Sequence, residues 1–220
     1  LETIQNILAA ILPPLYIVYY IYKNDLYEKE PHKLIIKSFL FGCLAVVPAL
    51  VLEIIFNENV FSSIFLYALI GVGLMEEVSK FAFLRLYSYK KTDFNEPYDG
   101  IVYGVVISMG FALVENLGYV LGSGDAAISV AFLRMFTAIP MHATCGVIMG
   151  YYFGIAKMNS EKATISFLLA LILPTIVHGF YDYFLFAGFG LIFSLLILII
   201  AFIYSNKAIR THQKNSPFKS

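Results

Sequence analysis

Apolar residues run through this chain in blocks too long for a soluble fold, and polar residues collect in the short gaps between them. A membrane-spanning helix needs about 20 predominantly apolar residues. Seven stretches meet that need: Ile4–Tyr22, Leu34–Phe56, Val60–Tyr87, Tyr98–Leu121, Ile128–Ala156, Ala163–Ala187 and Gly188–Tyr204. The third and fifth exceed the bilayer's demand, which predicts tilt or protrusion. Only the apolar turn Phe186-Ala187-Gly188-Phe189-Gly190 parts the last two. The pattern predicts an all-α polytopic membrane protein with about seven spans. Its organisation is one helical domain over residues 1–205, followed by a basic, disordered cytoplasmic tail over 206–220.

Composition agrees. The 220 residues are 60% hydrophobic and 14% charged, with a mean hydropathy of +0.78. Soluble domains carry about 25% charged residues, so the apolar excess must face a lipid bilayer. Fifteen basic and fifteen acidic residues cancel, which excludes a nucleic-acid partner. Cys43 and Cys145 both lie inside apolar runs, so no disulfide framework or CxxC metal site exists.

Lysine and arginine set the orientation. Lys23, Lys29, Lys33 and Lys37 flank the first loop, and Arg85, Lys90 and Lys91 flank the third. Lys157 and Lys162 flank the fifth, and Lys207, Arg210, Lys214 and Lys219 fill the tail. The even loops hold none. Positive-inside then puts the odd loops and C-terminus in the cytoplasm and the N-terminus outside. The first helix is followed, not preceded, by lysine and reads as a retained span.

Ionisable residues stand where lipid should be. Glu76, Glu77 and Lys80 lie in the third stretch, Glu115 in the fourth, Arg134 and His142 in the fifth, His178 and Asp182 in the sixth. Each charge at a helix centre costs about 2.5–3.5 kcal/mol, so the set would cost roughly 20 kcal/mol unpaired. These groups must converge on one another or on water. Lys80 follows Glu76 by four positions and Glu77 by three, so it shares their face. His178 and Asp182 are also four apart, which lets the carboxylate choose the imidazole's tautomer. His142 shares a face with Gly146, Gly150 and Gly154, a small-residue series that permits close helix approach, and Pro140 loosens the backbone just before it.

Each feature also has a structural alternative: a bundle salt bridge for Glu76–Lys80, interhelical hydrogen bonding for Asn116, outward snorkelling for Arg134. Two glutamates, two histidines, a third glutamate and an aspartate in four consecutive spans exceed what such roles require. Paired carboxylates and histidines activate water, or hold zinc. HExxH is absent, as are a GxSxG elbow and a cysteine–histidine pair. Glutamate-activated water or an irregular metal site remains for a hydrolase. A transporter or proton relay uses such residues too, although no repeated pair of broken helices is visible.

At this point the sequence resembles the PrsW intramembrane proteases. Glu76-Glu77-Val78-Ser79-Lys80 matches their EExxK motif. Tyr98-Asp99-Gly100-Ile101-Val102-Tyr103-Gly104, Phe111-Ala112-Leu113-Val114-Glu115-Asn116, His142-Ala143 and His178-Gly179-Phe180-Tyr181-Asp182 match further motifs in order. The resemblance implies a site-1 protease of the bacterial cell membrane that cuts a single-span anti-sigma factor. A second intramembrane cut then frees the sigma factor.

That family is similar in turn to the CAAX prenyl endopeptidases and to the scaffold subunit of gamma-secretase. Carried over from the CAAX enzymes, Glu76 would activate water and Glu77 would support the site. His178 with Asp182 would stand where the oxyanion-binding pair does. Here Phe111xxxGlu115 replaces an FxxxH motif, which makes His142 a candidate substitute for the missing histidine. The expected catalytic set is Glu76, Glu77, Glu115, His142, His178 and Asp182, supported by Lys80 and Asn116. No cofactor is needed in the glutamate mechanism. The family has also been classed as metalloproteases, and in that alternative His142, His178, Glu76 and Glu115 would bind zinc. A non-proteolytic scaffold is the third possibility, opposed by retention of both glutamates and both histidines.

Overall fold

The computed structural model describes residues 2–219, and among these it is helical, with no strand. The helices are α1 (Glu2–Lys23), α2 (His32–Ile55), α3 (Ile64–Leu66), α4 (Met75–Leu86), α5 (Pro97–Gly122), α6 (Ala127–Phe136), α7 (Ala138–Met158), α8 (Ala163–Phe186) and α9 (Leu191–Lys214). A π-helical segment, Tyr67–Leu74, joins α3 to α4. Six helical runs are long and apolar enough to cross a membrane. All seven expected stretches fall on helix, but the third is the composite α3–π–α4 run and is not among the six.

Helix α5 is the axis of the bundle. Every residue from Pro97 to Ala112 is buried, and α1, α2 and α7 pack around it. The crossing with α7 is close because glycines meet there. A Cβ on Gly100 would run into the backbone of Gly150, and one on Gly104 into that of Gly146. The small-residue face expected on α7 is therefore a contact between backbones. Outer helices expose wide apolar faces, such as Leu8, Leu12 and Tyr16 of α1 and Ile192, Ile200 and Ile203 of α9. Their backbone groups are satisfied inside each helix, as a lipid environment demands.

Three differences from expectation matter. The fifth stretch is not one tilted helix but two, broken at Thr137 (φ −126°, ψ −81°). Pro140 lies in the first turn of the new helix, where its missing N–H leaves no intrahelical bond unmade. Within the third stretch, Tyr67–Leu74 widens into a π-helix where α8 approaches most closely, Gly73 facing Gly179. Helix α9 runs beyond the expected boundary at 206 as far as Lys214, because His212 is buried there and stacks on Tyr151. The α8–α9 turn lies where expected, with Gly188 (φ 72°) and Gly190 (φ 82°) in the left-handed region.

The basic loops gather at one end of the bundle. Lys157 donates to Tyr89 O and Lys91 O, and Gln213 Nε2 donates to Asn24 O. The first, third and fifth loops and the end of α9 thus share a face.

Candidate active site

The π segment delivers the chain into α4, whose first turn carries Glu76 and Glu77. A π turn takes one extra residue, so it re-aims the side chains that follow it, and such turns are frequent at functional sites. One turn later Lys80, fully buried, closes the cluster. Its ammonium donates to Glu76 Oε2 (3.0 Å), Glu77 Oε1 (2.8 Å) and His142 Nδ1 (3.1 Å), and it lies 4.2 Å from the centre of the Phe111 ring. One cation holds together two carboxylates and an imidazole from another helix.

Both histidines are held by carboxylates. His142 Nε2–H donates to Glu115 Oε2 at 2.7 Å, so its Nδ1 lone pair faces Lys80 and the tautomer is set. His178 Nδ1 donates to Glu77 Oε1 at 2.9 Å, while its Nε2 lies 3.2 Å from Asp182 Oδ2 and 3.8 Å from Glu76 Oε2. The carboxylate that fixes His178 through a hydrogen bond is thus Glu77, on another helix, and Asp182 flanks the opposite nitrogen. The two imidazoles meet edge to face, 5.2 Å apart.

Arg134 does not snorkel away. Its Nη2 donates to Glu115 Oε2 at 2.8 Å and its Nε to Asn116 Oδ1 at 2.8 Å. Asn116 Nδ2 donates onward to Ala10 O of α1 at 2.8 Å, so Asn116 ties three helices together. All the residues singled out in the sequence belong to one connected cluster.

A cavity of about 790 Å³ opens onto it. Glu76, Glu115, Arg134, His142, His178 and Asp182 line it, whereas Glu77 and Lys80 do not. Leu50, Val114 and Leu133 supply an apolar wall, and Tyr119, Phe186 and Leu191 carry the cavity towards the end opposite the basic loops. One lining carboxylate, Glu53 of α2, was missed in the sequence. Its signal was present, an acid near the end of the second apolar stretch.

The charges bear on a metal. Glu76, Glu77, Glu115 and Asp182 face only two permanent cations, Lys80 and Arg134, and Glu77 Oε2 is buried with no hydrogen-bond partner. Glu76, Glu77, His142 and His178 offer ligand atoms that all lie within 4.8 Å of one another. Imidazole and carboxylate donors oriented by outer carboxylates fit zinc. Lys80 stands among the same atoms, so an ion bound there would replace its ammonium as their counter-charge.

Comparison with known proteins agrees with the geometry. Residues 30–205 match the family described as PrsW family intramembrane metalloprotease. The chain is 36% identical to Protease PrsW of Bacillus subtilis (strain 168) over 194 residues, covering 87% of this chain and 88% of that one. It is 39% identical to Protease PrsW of Oceanobacillus iheyensis over 199 residues, covering 88% and 91%. It is 32% identical to that of Clostridioides difficile (strain 630) over 204 residues, covering 90% and 86%. No solved structure matches it. With a buried carboxylate–histidine cluster opening on a cavity inside a bundle of apolar helices, and with a family match across most of its length, this chain belongs to the PrsW family of intramembrane proteases.

Proposed function

We propose that the chain cuts a single-span membrane regulator of the anti-sigma-factor kind in a bacterial plasma membrane, using water activated by Glu76. One observation carries this reading: of the two adjacent glutamates, only Glu76 lines the cavity. Glu77, fully buried, binds Lys80 and His178 from behind. Glu76 takes a proton from water as the water oxygen attacks the scissile carbonyl carbon. It then returns that proton to the amide nitrogen as the C–N bond breaks. His178 Nε2, facing the cavity between Glu76 and Asp182, donates to the developing oxyanion, an interaction worth about 2.7–4 kcal/mol. His142 is kept in place by Glu115.

The cavity suits such a substrate. Its apolar wall accepts the side chains of an unwound transmembrane segment. Its polar groups, Glu53 and Arg134 among them, admit water from the end opposite the basic loops, the extracytoplasmic side under positive-inside orientation. The donor set favours a second reading, in which Glu76, His142 and His178 hold zinc, with Glu115 behind His142. Such an ion supplies Lewis acidity and a more acidic water.

The test is purified, reconstituted protein given a single-span candidate substrate, with metal content measured and chelator added. Cleavage that survives chelation of metal-free protein supports the glutamate mechanism. A tightly held zinc whose removal abolishes cleavage overturns it in favour of the metal mechanism. Failure to cut any single-span protein overturns the substrate assignment.

A further inference from the structure

A second set of carboxylates converges at the basic end of the bundle, far from the cavity lining. Asp25 lies in the loop after α1, while Glu96 and Asp99 sit at the start of α5. They are 2%, 1% and 0% exposed, and each offers an oxygen within 4.8 Å of the others. Both oxygens of Asp25, both of Glu96 and Oδ1 of Asp99 are buried with no hydrogen-bond partner. A buried carboxylate oxygen without a partner is costly, and Asp25 has no bond at either of its oxygens.

The oxygens are also held ready. Asp99 Oδ2 accepts from the backbone N–H groups of Asn95 and Glu96, both at 2.7 Å, which fixes this carboxylate beside Asp25 and Glu96. Beside it stands Glu30, which accepts from the Tyr103 hydroxyl. The neighbouring lysines are committed elsewhere. Lys29 donates to the carbonyls of Tyr22, Lys23 and Asp25, and Lys157 to those of Tyr89 and Lys91.

From the orphaned oxygens of Asp25, Glu96 and Asp99, we infer a binding site for a hard divalent cation of the Mg²⁺ or Ca²⁺ type. All-oxygen, carboxylate-rich donors select such ions over zinc, which takes nitrogen and sulfur readily. The ion ties the loop between α1 and α2 to the first turn of α5, the central helix. It acts as a structural clamp, remote from the hydrolytic cluster.

Mn²⁺, followed by electron paramagnetic resonance, is the probe for the purified full chain in detergent. Wild type binds Mn²⁺, excess Mg²⁺ or Ca²⁺ displaces it, and the thermal midpoint rises with any of the three. Asp25→Asn and Glu96→Gln, on separate segments, each weaken Mn²⁺ binding by more than about tenfold, since even outer-sphere partners are worth 10–100-fold. His178→Ala retains it. Binding that survives both Asp25→Asn and Glu96→Gln, or that disappears in His178→Ala, overturns the site. So does a wild-type midpoint insensitive to all three ions, which decides the matter even if the variants fail to fold.

Discussion

His178 Nδ1 donates a 2.9 Å hydrogen bond to Glu77 Oε1, joining α8 to α4 behind the cavity. The same oxygen accepts from Lys80 at 2.8 Å. A fully buried carboxylate therefore positions both a cation and an imidazole without lining the cavity itself.

Removing it should be felt first in stability. Glu77→Ala leaves Lys80 with one carboxylate fewer and His178 without an acceptor at Nδ1. Loss of one member of a buried ion pair costs about 3–5 kcal/mol. A thermal melt in detergent should show a clearly lowered midpoint together with lost proteolysis. An unchanged midpoint would show that Glu77 does not hold the cluster together.

In the proposed mechanism Glu115 positions His142 through its bond to Nε2. Glu115→Gln leaves the ring free to adopt the other tautomer and should slow cleavage by about 10–100-fold, the range for a carboxylate that orients a working histidine. Steady-state rates on a reconstituted substrate check this. Wild-type turnover would make the Glu115–His142 bond irrelevant to the reaction.

The α5–α7 crossing should tolerate no bulk. In Gly150→Val the side chain meets the backbone of Gly100, and overpacking of this kind costs about 1–3 kcal/mol or more. Size-exclusion profiles and melts of the variant should show a less stable bundle. A melt like wild type would mean the helices can separate freely.

The grouping of lysine-bearing loops at one end predicts a cytoplasmic C-terminus. A topology reporter inserted after Lys214 should report the cytoplasmic side. Its appearance outside would invert the membrane and place the cavity mouth in the cytoplasm.

Much of this was legible because lipid makes charge expensive. Glu76, Glu77, Lys80, Glu115, His142, His178 and Asp182 stand out in apolar stretches, and all seven meet in one cluster. Their pairing was less legible. Local spacing pointed His178 to Asp182, which does lie 3.2 Å from its Nε2, but the hydrogen bond from Nδ1 goes to Glu77, 101 positions away in sequence. The π segment was hidden for a similar reason, since it accompanies the approach of α8 at Gly179 and has no periodic signature of its own. Pro140 marked a disturbance, and the break falls three residues before it, at Thr137. Asp25, Glu96 and Asp99 lie in or beside loops, where acids read as solvated. Only the fold reveals that all three are buried.

The central claim is that Glu76 takes the proton from water. Its amide variant, Glu76→Gln, keeps the volume and accepts no proton, so the measurement is cleavage of a reconstituted single-span substrate by purified Glu76→Gln beside wild type, with thermal melts of both. The account predicts a fall in rate of at least about 10², the lower bound for loss of a general base, with the variant still folded. Cleavage by a folded Glu76→Gln protein at the wild-type rate would contradict it.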